Sequence, residues 1–290
     1  MNSTELVDLF RSEMSDVAAP YLWSDALVYS YIDDAQTRFC RLTDGIADTR
    51  TPSVTRLNMV SGVDWYDTHV SIKNIRKATY NDTGRPVDLL TAEQADVANV
   101  VFSPTLIGPV RRLVLGLAAH SVRASPVPPT TYGPTLVSTG ITAINTAVIP
   151  MTDTTDVYAA MGVTATGLPA GTKVVSVSSN VSITVSANAT AAMPSGTVLS
   201  FGLIINLSVY RLPLVTITDD GEQTLEIDVQ HHAALLYWVK SRAYDKQDAE
   251  AFDRTKSKDY ATRFETYCAM AQQEQQRARR VQGNIAYGGI

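Results

Sequence analysis

Few residues in this 290-residue chain have both the type and the spacing for chemistry. His231 and His232 form the one histidine pair. Adjacent residues on a helix point about 100° apart, so they chelate one ion poorly; a zinc site uses i and i+4 with further ligands. His232 also falls on an apolar stripe and reads as a packed histidine. Carboxylates pair at Asp33-Asp34 and Asp219-Asp220 and cluster from Asp245 to Asp253. Two carboxyls act as acid and base only where their surroundings split their pKa values. On exposed helix faces beside lysines they read as solvated surface. TDDGE at 218–222 has part of a calcium-loop composition, without the regular acidic spacing or a glutamate at the right distance. No nucleophile elbow, Walker loop or dinucleotide fingerprint occurs. Cys40 and Cys268 lie beside aromatic residues in helix-like stretches and read as buried, reduced thiols. The expectation is no catalytic residue, no metal and no cofactor.

The C-terminus offers binding rather than catalysis. Arg277, Arg279 and Arg280 close a helical pattern, and VQGNIAYGGI follows. Arginines can meet carboxylates in bidentate pairs. A glycine-bearing tail can order on docking, losing entropy and gaining extended contacts. Arg277, Arg279, Arg280, Asn284, Ile285 and Tyr287 are therefore the candidate interface residues. A frayed, solvated terminus is the plain alternative.

The elements that position these residues are read from periodicity. Asn2 and Glu5 have capping-box spacing for a first helix carrying Leu6, Leu9, Phe10 and Met14. Ser24 starts a second, with a stripe of Val28, Ile32, Ala35, Phe39 and Leu42, and Gly45 ends it. Val54 to Tyr80 shifts toward strands, and 88–97 reads as a short helix. Arg112–Leu117 and Leu203–Leu212 read as strands that would make a hairpin if paired. Asp228 starts a further helix with Val229, His232, Leu236, Val239 and Ala243 on one side. The last helix spans about Asp248 to about Arg280, ~50 Å at 1.5 Å per residue. Phe252, Tyr260, Phe264, Tyr267 and Ala271 form its stripe, which thins after Ala271. Phe252, Phe264, Leu236 and Trp238 are expected in helix packing.

Composition divides the chain. Residues 126–201 hold only three charges, Asp153, Asp156 and Lys173, while the other charged residues all lie outside. Within it KVVSVSSNVSITVSAN alternates apolar and polar residues, with Ser178–Asn180 as a turn. This segment reads as an inserted all-β domain. Residues 1–125 and 202–290 read as one discontinuous core. The expected fold is α+β: a helical bundle with a long C-terminal helix and a small β region, plus the insertion. The net charge of −5 argues against a general nucleic-acid coat. No apolar run reaches the ~18–20 residues of a membrane span, and the acidic N-terminus does not read as a signal peptide.

ALLYWVKSRAYDKQDAEAFDRTKSKDYATRFETYC (234–268), with the basic end and GNIAYGG beyond it, resembles the C-terminal helices of bacteriophage head-to-tail adaptor proteins, also called connector or head-completion proteins. YLWSDALVYSYIDDAQTRFCR (21–41) is similar to the N-terminal helix of that family. The resemblance covers residues 1–120 and 203–290, and residues 126–201 depart from it. It implies a structural virion protein of the head–tail neck, without catalytic activity or membrane. It implies a homo-oligomeric ring, usually of twelve copies, between a portal protein and tail or nozzle proteins. Genomic DNA would pass through its channel without specific binding, and the C-terminal candidates would then face the portal. A ring of such chains would carry a charge of about −60, which favours sliding over sticking.

Three other readings stand beside this one. The insertion could recognise a host receptor or glycan, although its aromatic content is low: Tyr132, Tyr158 and Phe201. An acidic pair could serve a cell-wall hydrolase of the tail. Arg277 to Arg280 could bind nucleic acid, with a steep salt dependence.

Overall fold

A computed structural model of the chain describes residues 1–279 except 61, 82, 104, 130–132, 160, 170, 220–221 and 247–251, and leaves out the side chains of 278 and 279. Along the chain come α1 (Ser3–Met14), α2 (Asp25–Leu42), β1 (Ile46–Asp48), α3 (Pro52–Thr55), β2 (Arg56–Met59), β3 (Trp65–Asp67), β4 (Ile72–Tyr80), β5 (Pro86–Thr91), α4 (Ala92–Val97), β6 (Arg112–Leu115) and β7 (Ser121–Ser125). Then follow β8 (Thr135–Val137), β9 (Val148–Pro150), β10 (Val163–Thr164), β11 (Val174–Ser178), β12 (Ser182–Val185), β13 (Val198–Phe201) and β14 (Leu203–Arg211). A 3-10 turn (Val229–His231) leads into α5 (His232–Asp245), and α6 (Arg254–Arg279) is the last described element. The chain divides into two compact units, Met1–Ala47 with Tyr210–Ile290, and Asp48–Val209.

The first unit is helical. Asn2 caps α1 by accepting the Glu5 N–H at 2.8 Å, and Glu5 returns the bond to the Asn2 N–H at 2.9 Å. This satisfies two of the helix's orphan donors. Ser24 holds the N-cap position of α2 without a side-chain bond to the helix. Leu6 and Phe10 of α1, Val28, Ile32, Ala35 and Phe39 of α2, Leu236 and Val239 of α5, and Phe264, Cys268 and Ala271 of α6 share one buried cluster. Trp23 is 1% exposed, stands edge-on to Phe10 at 5.6 Å, and donates its indole N–H to Ala243 O at 3.3 Å. Of the four side chains expected in helix packing, Phe264 and Leu236 are buried and Trp238 is half-buried. Phe252 is 45% exposed and does not belong to the core.

The second unit is all but entirely β. Its large sheet runs in the order β14-β4-β5-β6-β7-β3, and β2 also pairs with β14 from Leu203↔Met59 to Asn206↔Arg56. β5 and β6 are parallel, joined through α4, and β6 and β7 are antiparallel. Two three-stranded sheets follow, β10-β13-β8 and β11-β12-β9. They enclose a separate cluster around Ile149, Met151, Val163, Ile183, Leu199 and Phe201. β14 serves two cores. Leu203, Ile205, Leu207 and Val209 pack into the cluster of the large sheet, while Ile204 packs into that of the small sheets. The neck of residues 126–201 is tight: a Cβ on Gly133 would lie 2.0 Å from Phe201 O, and one on Gly202 would lie 2.9 Å from Met59 O. Only glycine fits so close to another backbone.

The expected architecture, a helical bundle with a long C-terminal helix and a small β region, is overturned. The protein is β-rich, with fourteen strands among the described residues against six helices. α6 has 26 residues, about 39 Å, and not the ~50 Å expected. It starts at Arg254 because the Asp253 carboxylate accepts the N–H groups of Thr255 and Lys256, both at 3.0 Å. The hairpin between the strands flanking the insertion does not exist either. β6 takes β5 and β7 as partners, and β7 is the strand that leads to residue 126. Part of the expected helix at 88–97 is strand, with α4 confined to Ala92–Val97. These errors share one cause. Helical stripes are local, whereas most strands here are three to five residues long and are defined by partners distant in sequence.

Candidate interaction surfaces

Of the C-terminal candidates, Arg277 and Arg279 fall on α6. On α6, Ala271 is the last buried residue among those described, and Gln273, Glu274, Gln276 and Arg277 are exposed. Arg279 ends the helix, and its side chain is not described. Arg280, Asn284, Ile285 and Tyr287 lie outside the described residues. The helix thus continues about two turns past Ala271, with polar side chains at every position from Gln272 to Arg277.

The residues with catalytic potential are occupied elsewhere. The Asp33-Asp34 pair is split. Asp33 accepts the Ile217 N–H at 2.8 Å, and Asp34 accepts the Trp238 indole N–H at 2.7 Å. Asp253 caps α6, and those hydrogen bonds hold its carboxyl below the ordinary carboxylate range. Asp220 lies outside the described residues. His232 is buried with its ring nitrogens 2.8 and 2.9 Å from the carbonyl oxygens of Met1 and Ile227. His231 packs on Phe39 at 4.8 Å and bonds the Tyr267 hydroxyl at 3.0 Å. Its burial lowers the imidazole's pKa. Cys40 and Cys268 are buried and form no disulfide among the described residues, and desolvation pushes the Cys268 thiol up to about 12. Among the described residues no group of three His, Cys, Asp or Glu could hold a metal ion, and no helix is long and apolar enough to cross a membrane.

What periodicity did not reveal is a buried polar anchor. Arg11 of α1 is 6% exposed. Its guanidinium donates to Asp16 at 2.8 Å and to Trp23 O at 3.1 Å, and it pairs with Asp25. It also lies over the Tyr21 ring at 3.6 Å. Asp16 in turn accepts the Leu22 N–H at 2.9 Å. The Trp-Ser-Asp start of α2 is therefore held by side chains of α1 and the loop between them: Trp23 fills the core while Asp25 meets Arg11. Within the first unit a cavity of about 440 Å³ is lined by Phe39, Ile46, Tyr210, Asp228, His231 and Gln275, among others. In the second unit, Val137, Ile141, Val175, Val181 and Val198 are each more than half exposed, leaving an apolar but charge-poor surface on residues 126–201.

Comparison with known proteins gives one result that bears on this geometry. A family model described as SU10 adaptor protein matches residues 1–286. No curated protein matches the chain.

Proposed function

The chain belongs to the SU10 adaptor family, a phage adaptor-type family, and from that premise we propose that it forms an oligomeric ring joining the portal of a phage capsid to the tail. The ring is twelvefold, sits in the head–tail neck of the virion, and lengthens the channel through which the genome passes. Its role is structural, without catalysis. The portal surface is the end of α6 and the residues beyond it: Arg277, Arg279, Arg280, Asn284, Ile285 and Tyr287. Tail or nozzle proteins meet the ring elsewhere. Residues 126–201 are an inserted β domain on the adaptor core.

One observation carries the portal reading. α6 runs on for about two turns past Ala271, its last buried apolar residue among those described, and Gln273, Glu274, Gln276 and Arg277 stand exposed there. A helix that outgrows its core gains stability only from a further partner. The test is truncation of residues 281–290 combined with Ala at Arg277, Arg279 and Arg280. Melting should stay near that of the parent, because this region reaches no core. Binding to purified portal rings, followed by sedimentation and low-resolution imaging, should be lost. If the variant binds as well as the parent, the portal surface lies elsewhere. If the free protein and its portal complex show no ring, the oligomer reading fails independently.

A further inference from the structure

We propose that the cavity beside α6 seats an arginine side chain presented by a partner protein. The lining has two characters. Phe39, Ile46 and Tyr210 supply flat apolar walls, and Asp228 and Gln275 supply acceptors. The Gln275 amide oxygen is buried and, among the described residues, has no hydrogen-bond donor. A buried acceptor left unmet costs free energy, so it marks a place where a donor is missing. Asp228 stands at the start of the 3-10 turn without a side-chain cap bond, and no ion pair to it exists among the described residues. Glu226 also lines the cavity, but Arg211 at 2.6 Å neutralises it. Asp228 and, from the exposed surface of α6, Glu274 both act electrostatically on the His231 ring.

The ligand's chemistry follows from this balance. The cavity has negative charge to spare, a donor-hungry oxygen and aromatic walls, so it takes a cation with several N–H groups and a flat face. A divalent metal is disfavoured because no three ligands converge among the described residues. A guanidinium fits better than an ammonium. It can bond Gln275 and Asp228 with separate N–H groups in one plane while stacking on an aromatic wall, and it is the more weakly hydrated cation. His231 does not oppose it, since burial favours the neutral ring. The cavity's volume falls within the ~300–1,000 Å³ of ordinary ligand sites, which leaves room for the stem of the side chain. The chain's own Arg277 is no substitute. Two residues along a helix turn about 200°, which sets Arg277 on the far side from Gln275. The inference is independent of whether the α6 end meets a portal.

The probe is N-acetyl-L-argininamide, titrated to about 20 mM against the full-length chain and read from chemical shifts of labelled Ile46 and Ile227 methyls. Saturable shifts with a millimolar Kd are expected. The isosteric, uncharged N-acetyl-citrullinamide should bind at least about tenfold more weakly, and the lysine analogue should fall between them. Asp228→Asn, which disturbs no cap bond, and Gln275→Leu should each weaken the arginine probe at least about fivefold. Absence of shifts with the arginine probe overturns the proposal. So does citrulline binding equal to arginine, or arginine binding unchanged in both variants.

Discussion

Arg11→Met tests whether the first unit is held by a buried ionic anchor or by apolar packing alone. The side chains of Arg11 and Asp16 are each 7% exposed, and their contact is 2.8 Å. Methionine keeps an unbranched stem against Tyr21, so little apolar burial is lost. What disappears is the charge facing Asp16, which then keeps only the Leu22 N–H at 2.9 Å and a long contact with the Trp23 N–H at 3.5 Å. Removing one partner of a buried pair costs about 3–5 kcal/mol, because the other charge stays desolvated. Asp25 adds little, since its side chain is 54% exposed and can rehydrate. A loss of about 3 kcal/mol is therefore expected, at the low end of the range because two N–H groups remain. Urea denaturation followed by tryptophan fluorescence reads the correct unit. Trp23 is buried there, whereas Trp65 of the other unit is 41% exposed and changes less on unfolding. Arg11→Met/Asp16→Asn should recover at least half of the loss, since asparagine still accepts the Leu22 N–H without a charge to strand. A single variant within about 0.5 kcal/mol of the parent would refute the reasoning and leave the pair as an incidental contact.

Three further outcomes are expected. Phe264 is fully buried beside Trp238, with ring centroids 5.7 Å apart, so Phe264→Ala should cost about 3–5 kcal/mol in the same urea assay; less than about 1 kcal/mol would mean that the α5–α6 contact is not core. The Tyr66 hydroxyl bonds Val63 O at 2.7 Å, and burial pushes its pKa up to about 12. The unfolded phenol ionises near ~10, so stability present below pH ~10 should fall as pH rises to about 12. Tyr66→Phe should abolish that step in a pH series of melts. Replacing residues 134–201 by a short Gly-Ser linker should leave the large sheet cooperatively folded, since Gly133 and Gly202 already lie together and loop closure costs only ~0.6 kcal/mol per doubling. Non-cooperative unfolding of that variant would show that the small sheets and the large one share a single core.

What could be read from the sequence was what lies close in the chain. The Asn2 and Glu5 spacing became a reciprocal cap, the stripe from Val28 to Phe39 became the buried face of α2, and Ser178–Asn180 became the β11–β12 turn. The misreadings lie where burial or pairing is set from afar. β14 is buried at seven of its nine positions, so it shows no clean alternation, and its centrality rests on partners more than 120 residues away. Val229 and Phe252 fit apolar stripes yet are 67% and 45% exposed, because each stands where its helix has not yet begun. Arg11 was invisible for the opposite reason. A charged residue on a buried helix face interrupts the stripe unless its partners are known, and Asp16 and Asp25 lie beyond the helix that carries it.

The charge-poor segment poses a physical problem that its strands solve. Edges of small sheets offer unpaired backbone groups to other chains, and charge is the usual protection. Residues 126–201 have almost none to use. In the sheet β10-β13-β8 the edge strands are two and three residues long. In β11-β12-β9, the edge β9 is three residues and ends in Pro150, and the register of β11 shifts between Val174 and Ser176. Short strands, a proline and a register irregularity all blunt an edge. Valines can therefore stand outward at Val175 and Val181 without inviting strand addition. The same economy of charge limits what the surface can hold. Lys173 is the only cation in the segment, and phosphate backbones are bound through many. A surface with one cation therefore lacks the charge that binding a phosphate backbone requires.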